Sequence, residues 1–184
     1  MAHITLQEGS LPGIFSLLYY RKEMASPLVT FTETLLRGSS PISHAEREII
    51  ASYVSYLNNC YFCFACHGAT AAALLGLGIE FLDEIKEKLP NQDITPRLRS
   101  LLNIAEAVQQ GGNYVDEFLI TSAKKRGVSE IDIHDVVLIS SAFCMFNRYV
   151  EGLNVPYPLD KKSYIGIGKK LAKDGYHMPE VTPV

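Results

Sequence analysis

The sequence predicts an all-α fold, a single domain of about eight helices spanning residues 1–184. Three observations predict it. Apolar residues recur at helical spacing, as in Leu28, Phe31, Leu35 and in Ile49, Ile50, Tyr53, Val54, Leu57. Helix starts and stops punctuate the chain at matching intervals: Ser43-His44-Ala45-Glu46 and Ser129-Glu130-Ile131-Asp132 are capping boxes, and Gly38, Gly111-Gly112, Gly127 and Gly152 stand where helices would close. Strand-like alternation flanked by hairpin turns is not seen.

Taken in order, Gly9-Ser10-Leu11-Pro12-Gly13 is a breaker, and Ile14 to Tyr20 is a short apolar helix that tolerates Pro12 near its first turn. A second helix runs from about Lys22 to Arg37, with Pro27 early in it, and Ser39-Ser40-Pro41 is the loop after it. The third helix starts at the Ser43 capping box and carries an apolar face to the Asn58-Asn59 break. Asn58 or Asn59 then caps a fourth helix through Phe64-Ala65 and the alanine-rich run Ala69 to Leu75. Gly76 and Gly78 precede a short amphipathic helix around Glu80 to Lys88 and the turn Leu89-Pro90-Asn91. Thr95-Pro96 opens a helix through Val108 to Gly111-Gly112, Asn113 to Arg126 forms the next, the Ser129 box starts a long one to Gly152, and Asp160 begins the last. No low-complexity tract or fixed-period repeat interrupts the series.

A chain of 184 residues, 47% hydrophobic and 20% charged, can hide roughly 70% of its unfolded surface in one core without staples. The formal charge of −3 and the absence of a dense Lys/Arg block, Lys124-Lys125-Arg126 being a short helix-end cluster, give no electrostatic reason to bind nucleic acid or an anionic membrane. The first residues lack the pattern of a signal peptide, and no apolar stretch approaches membrane-span length, so a cytoplasmic location is expected. In that reducing compartment a tight cysteine cluster points to catalysis or metal binding rather than to a disulfide framework.

Such a cluster exists. Residues Asn58 to His67 hold three of the four cysteines and one of the five histidines. At about 100° per residue, Cys60, Cys63 and His67 share one stripe of a helix, and Cys66 points roughly 60° to one side of Cys63. The inert reading, buried cysteine as a small apolar residue, suits Cys144 in Ala142-Phe143-Cys144-Met145-Phe146. It suits Cys60 and Cys63 poorly, because a helix N-terminus and a nearby imidazole are the usual means of activating a thiol. Cys63-Phe64-Ala65-Cys66-His67 also matches the CxxCH haem-attachment pattern, against which counts the lack of an export signal. Cys60, Cys63 and Cys66, with His67 or Cys144, could form a zinc or iron–sulfur site only if the segment were irregular. Thiol redox chemistry needs an attacking thiolate, a resolving thiol and a proton relay, and Cys63, Cys60 and His67 supply that set. Glu46 has a capping task; Glu48 reads from pattern alone equally as a relay carboxylate and as a solvated helix charge.

Glu48, eleven intervening residues, then Cys60-x2-Cys63-x3-His67 resembles the signature of the AhpD-like alkylhydroperoxidases in the carboxymuconolactone decarboxylase superfamily. Ser43 to Glu48 leading into Leu57-Asn58-Asn59-Cys60 is similar to its peroxidase-related subgroup, as, more weakly, are Leu11-Pro12-Gly13 and Phe146-Asn147-Arg148-Tyr149. The resemblance covers roughly Ser10 to Tyr176 and is strong in Ser43 to Gly68. It implies an AhpD-like helical fold and a trimer-based homo-oligomer, often a hexamer. It implies no bound cofactor and no metal, and an antioxidant oxidoreductase acting on a hydroperoxide or a partner protein's disulfide, regenerated by a thiol reductant. By that likeness Cys63 is the attacking thiol, Cys60 the resolving thiol and proton donor, His67 the relay base and Glu48 its carboxylate. Phe62 stands where some members carry a histidine, and Cys66 adds a third thiol. A decarboxylase-like enzyme on the same fold, and a metal- or haem-binding helical protein, are the alternatives.

Overall fold

The computed structural model describes residues 1–6, 11–90 and 94–177. Gly9 and Ser10 of the first breaker and Asn91 of the turn after Pro90 lie outside the described residues. Among the described residues there are nine α-helices and no strand: α1 Ile14–Tyr20, α2 Lys22–Arg37, α3 His44–Leu57, α4 Tyr61–Leu75, α5 Phe81–Lys86, α6 Pro96–Gln110, α7 Glu117–Lys124, α8 Glu130–Gly152 and α9 Ile165–Asp174. Two 3₁₀ turns, Gly112–Tyr114 and Lys161–Tyr164, precede α7 and α9.

The helix expected from Asn113 to Arg126 is therefore shorter than its pattern suggests. Asn113 and Tyr114 belong to the 3₁₀ turn, and Asp116 takes the N-cap, its carboxylate accepting from the Leu119 amide at 2.7 Å. Asp160 likewise caps the 3₁₀ turn that runs into α9 rather than α9 itself.

α3 and α4 form the centre. Every residue from Arg47 to Ser55 on α3 and from Phe62 to Ala72 on α4 is buried; α4 is apolar nearly all round, as a buried helix is, whereas α3 takes Arg47 and Glu48 inside with it. Small residues let the two axes approach, and their hydroxyls are satisfied on the spot: Ser52 Oγ donates to the Phe64 carbonyl at 2.9 Å, and Thr70 Oγ1 to the Cys66 carbonyl at 2.8 Å. α9 closes against α4 at Gly168, where a Cβ would lie 2.6 Å from the Ala69 carbonyl carbon. Only glycine permits that approach.

Both predicted capping boxes form, Ser43 with Glu46 and Ser129 with Asp132. Arg97 on α6 ties them together, reaching Asp132 Oδ1 at 2.5 Å and Glu46 Oε1 at 3.5 Å. The starts of α3 and α8 are thus pinned to one another. Arg47 does the same for the end of α2, donating to the Leu35 and Gly38 carbonyls at 3.0 and 2.9 Å, which a helix C-terminus otherwise leaves unpaired. Among the described residues, no helix is long and apolar enough to cross a membrane.

Candidate functional site

The path from α3 into α4 positions the thiols. Asn58 closes α3 and does not cap α4; its amide donates to Asn147 Oδ1 at 2.9 Å and to Cys144 Sγ at 3.4 Å, anchoring the junction to α8. Asn59 adopts a left-handed φ of 58°, which asparagine tolerates. Cys60 is itself the N-cap of α4, at φ −94° and ψ 89°, without a side-chain cap bond. The expected asparagine cap is corrected accordingly, and with it the stripe drawn through Cys60, Cys63 and His67. Cys60 lies outside the helical repeat, so the 100° rule does not place its side chain.

Cys63, Cys66 and His67 line a cavity of about 80 Å³ whose remaining wall is almost wholly apolar, including Phe15, Leu18, Phe62, Phe143 and Phe146. Cys60 is not on that wall and is fully buried. The neighbouring Cys63 thiol, and then burial, push Cys60 far above the ordinary thiol range. Burial, and after it the nearby Cys60 and Glu48, push the Cys66 thiol well up too. Cys144 lies outside this group, half-buried on α8 beside the Asn58 amide.

Glu48 is not a solvated helix charge. Its side chain has no exposure at all, and three groups meet on it: Oε2 accepts from His67 Nδ1 at 2.7 Å, and Oε1 accepts from Arg37 Nη2 at 2.6 Å and from the Tyr176 hydroxyl at 2.7 Å. Burial alone pushes its carboxyl up; the attraction of His67, the His67 hydrogen bond, Arg37 and Tyr176 together outweigh that and hold it below the usual carboxylate range. Because Nδ1 faces a carboxylate oxygen it carries the hydrogen, and Nε2 is the nitrogen left for exchange with the cavity. Phe143 meets the imidazole edge-on at 4.5 Å and Tyr176 stacks beside it at 5.9 Å, so the ring cannot turn away. Tyr176 is in turn clamped, its amide donating to Glu33 Oε2 at 2.6 Å and the Arg37 guanidinium lying over its ring at 5.1 Å. Burial, with Glu48 beside it, raises the Tyr176 phenol well above its ordinary value, so it remains a hydrogen-bond donor.

Arg37, Tyr176 and Phe143 escape a reading of the sequence. Arg37 reads as an ordinary helix-end cation, and Tyr176 lies 128 residues from Glu48 with no spacing to link them. Among the described residues, no group of three or more His, Cys, Asp or Glu side chains is placed to hold a metal ion.

The profile of the carboxymuconolactone decarboxylase family matches residues 79–156, a stretch that begins after His67. No curated protein sequence matches the chain significantly. Solved structures share the fold. An uncharacterized peroxidase-related protein from Silicibacter sp. TM1040 superposes with a TM-score of 0.74 at 24% identity, over 86% of this chain and 81% of that one. A second uncharacterized peroxidase-related protein, described as an alkylhydroperoxidase AhpD core, from Ralstonia eutropha JMP134, gives 0.74 at 22% identity over 88% and 83%. A protein of unknown function from Agrobacterium tumefaciens, whose description suggests AhpD-type antioxidant defence, gives 0.63 at 20% identity over 77% and 97%.

Proposed function

We propose that the chain, which matches the carboxymuconolactone decarboxylase family over residues 79–156 and shares the fold of peroxidase-related proteins, is a thiol oxidoreductase reducing hydroperoxides through Cys63 and Cys60. The observation that carries the reading is one wall: Cys63 and His67 face the same apolar cavity one helical turn apart, with the imidazole held at 2.7 Å by a fully buried glutamate.

In this reading His67 Nε2 takes the Cys63 proton, and the thiolate attacks the distal peroxide oxygen. An S–O bond forms, the O–O bond breaks, and the proton on His67 passes to the departing alkoxide. Cys63, now a sulfenic acid, is met by Cys60: an S–S bond forms and water leaves. An external thiol reductant then supplies the two electrons that reopen the disulfide. Glu48 offsets the positive charge on the imidazole while it holds the proton. The apolar wall excludes bulk water and accommodates an organic peroxide.

Thiol titration before and after an organic hydroperoxide, with mass mapping of the product, tests this. Two thiols should be lost in wild type, mapped to a Cys60–Cys63 bond, and none of that loss should survive in Cys63→Ser. Free Cys60 and Cys63 after peroxide treatment would overturn the reading. The family profile, which matches downstream of Cys60, Cys63 and Cys66, favours one alternative, a decarboxylase-like enzyme of the same fold; substrate turnover that survives Cys63→Ser would select it.

A further inference from the structure

We propose that Tyr176 determines which hydroperoxides reach Cys63: its ring, with His177 beside it, is the partition between the thiol cavity and an outer groove, and it favours small, uncharged alkyl hydroperoxides. The inference rests on the thiol-oxidoreductase reading and names the substrate class of that same site.

The thiols pose the problem. Cys63 and Cys66 are 3% exposed and His67 is 8% exposed, so a peroxide has to cross the cavity wall to meet them. Much of that wall belongs to helices packed into the core, with Phe62 on α4 and Phe143 and Phe146 on α8 all buried. Tyr176 and His177 differ, because they follow α9 on a segment outside any helix.

A second space adjoins the same two residues. A groove of about 230 Å³ runs along α2 at Ser26, Thr30 and Thr34, three exposed hydroxyl residues, and it too is walled by Val29, Tyr176 and His177. Because Val29, Tyr176 and His177 line both the groove and the thiol cavity, the two spaces meet at these side chains.

A set of bonds fixes the Tyr176 ring there. Its amide donates to Glu33 Oε2 at 2.6 Å and its hydroxyl to Glu48 Oε1 at 2.7 Å, while the ring carries the Arg37 guanidinium at 5.1 Å and stacks beside His67 at 5.9 Å. Gly175, at φ 76°, turns the chain against Glu33, where a Cβ would come within 2.7 Å of Oε2. Contacts to α2, α3 and α4 thus hold the partition in place.

Size and charge follow from the two spaces. One water needs about 10–15 Å³ of such space, so a cavity of about 80 Å³ takes on the order of six atoms of that size, which suits tert-butyl hydroperoxide. Cumene hydroperoxide, with a phenyl ring in place of one methyl, needs the Tyr176 ring moved aside. Among the described residues, neither space is lined by Lys or Arg, so the carboxylate of a fatty-acid peroxide finds no cation there to replace its water.

The ratio of kcat/KM for tert-butyl hydroperoxide to that for cumene hydroperoxide tests the assignment, since damage to the relay lowers both values alike and leaves the ratio. Wild type should favour tert-butyl hydroperoxide. Tyr176→Ala should lower the ratio about tenfold, the low end of what one group in an apolar pocket is worth, and Tyr176→Phe, which keeps the ring, should hold it at the wild-type value. An unchanged ratio in Tyr176→Ala overturns the partition, as does a Tyr176→Phe ratio that falls as far, which would assign the effect to the hydroxyl. Alkylation of reduced Cys63, located by mass mapping, reads access without turnover. N-phenylmaleimide should gain about tenfold on iodoacetamide in Tyr176→Ala, and equal changes for the two reagents overturn the partition whether or not peroxide is consumed. Wild type that consumes neither peroxide overturns the thiol-oxidoreductase reading and the substrate class with it, and the alkylation ratio then decides the partition alone.

Discussion

Replacing Glu48 by glutamine removes one charge and almost no volume, and the three contacts at that side chain determine the outcome. Oε1 accepts from both Arg37 Nη2 and the Tyr176 hydroxyl, at 2.6 and 2.7 Å. The glutamine amide therefore settles with its oxygen on that side, since the reverse orientation would set two N–H donors against two donors. Its NH₂ must then face His67 Nδ1, where the carboxylate oxygen stood at 2.7 Å. Two donors cannot share that bond, so the imidazole moves its hydrogen to Nε2 and loses the nitrogen that takes the Cys63 proton. The expected loss in peroxide consumption is about 10²–10⁴-fold, the worth of general acid–base help. Stability falls as well. The Arg37 side chain is only 8% exposed and loses its counter-charge; breaking a buried pair costs about 3–5 kcal/mol, and the retained acceptor puts Glu48→Gln near 3 kcal/mol. A domain stable by about 5–15 kcal/mol stays folded through that change, so urea melts and peroxide-consumption rates at pH 7 can be read on the same sample. Wild-type turnover in Glu48→Gln would refute the tautomer reasoning, and an unchanged melt would refute the energetic role of the Arg37 pair.

His67→Gln should fall in the same rate range as Glu48→Gln, and the double variant should lose little more than the worse single, because the two act as a unit; multiplied losses in the same peroxide assay would contradict that. Acid should unfold the chain. Glu48 and Asp132 both sit below the usual carboxylate range, burial opposing the shift in each and being outweighed at Asp132 by Arg97 and Ser129. A carboxylate depressed in the folded state stabilises fully above its unfolded pKa, near 4, and stops doing so as pH falls through the folded value. Melts should therefore hold from neutrality to about pH 5 and decline below about pH 4, with a shallower decline in Glu48→Gln; parallel acid curves for the two proteins would contradict the assignment. Self-association is expected from the family likeness, and Ile131, Leu138 and Met145, spaced seven apart on α8 and 51%, 38% and 47% exposed, offer an apolar line for it. Sedimentation at micromolar concentration should find species heavier than 20.4 kDa, and a purely monomeric profile would reject it.

The helices are legible where local chemistry sets them. Ser43 and Ser129 start helices because each has an acid three residues on to return the bond, and both boxes are present. Where a boundary depends on backbone geometry the pattern misleads. Asn113 and Tyr114 sit in a 3₁₀ turn after Gly111-Gly112, and the helix waits for Asp116. At the candidate site the same division holds. The spacing from Glu48 to Cys60, Cys63 and His67 can be read along the chain, and the structure joins Glu48 to His67 directly. That Glu48 is wholly buried cannot be read there, because what makes burial tolerable comes from elsewhere: Arg37 at the end of α2 and Tyr176 beyond α9. The helical wheel fails at Cys60 for a definite reason, its place at the N-cap, outside the helical repeat.

That same placement decides how three thiols divide their tasks. Cys60–Cys63 and Cys63–Cys66 have equal spacing, yet they differ in what closing a disulfide would disturb. Cys63 and Cys66 are both inside α4, in the stretch buried from Phe62 to Ala72, and the Cys66 carbonyl is held by Thr70 at 2.8 Å. A bond between them must turn two helical side chains toward each other within a close-packed segment. Cys60 has left the helix while its carbonyl still accepts from the Phe64 amide at 3.0 Å and its amide donates to the Ser55 carbonyl at 3.0 Å. Cys60 stands at the N-cap, outside the helical repeat, so closure onto Cys63 has to turn only one side chain that lies inside the helix. Burial raises both Cys60 and Cys66, so burial does not distinguish them. Their place does: Cys66 is inside α4 and on the cavity wall, whereas Cys60 is at the N-cap and off that wall. In the proposed reaction Cys66 is therefore part of the cavity wall, and Cys60 is the partner of Cys63.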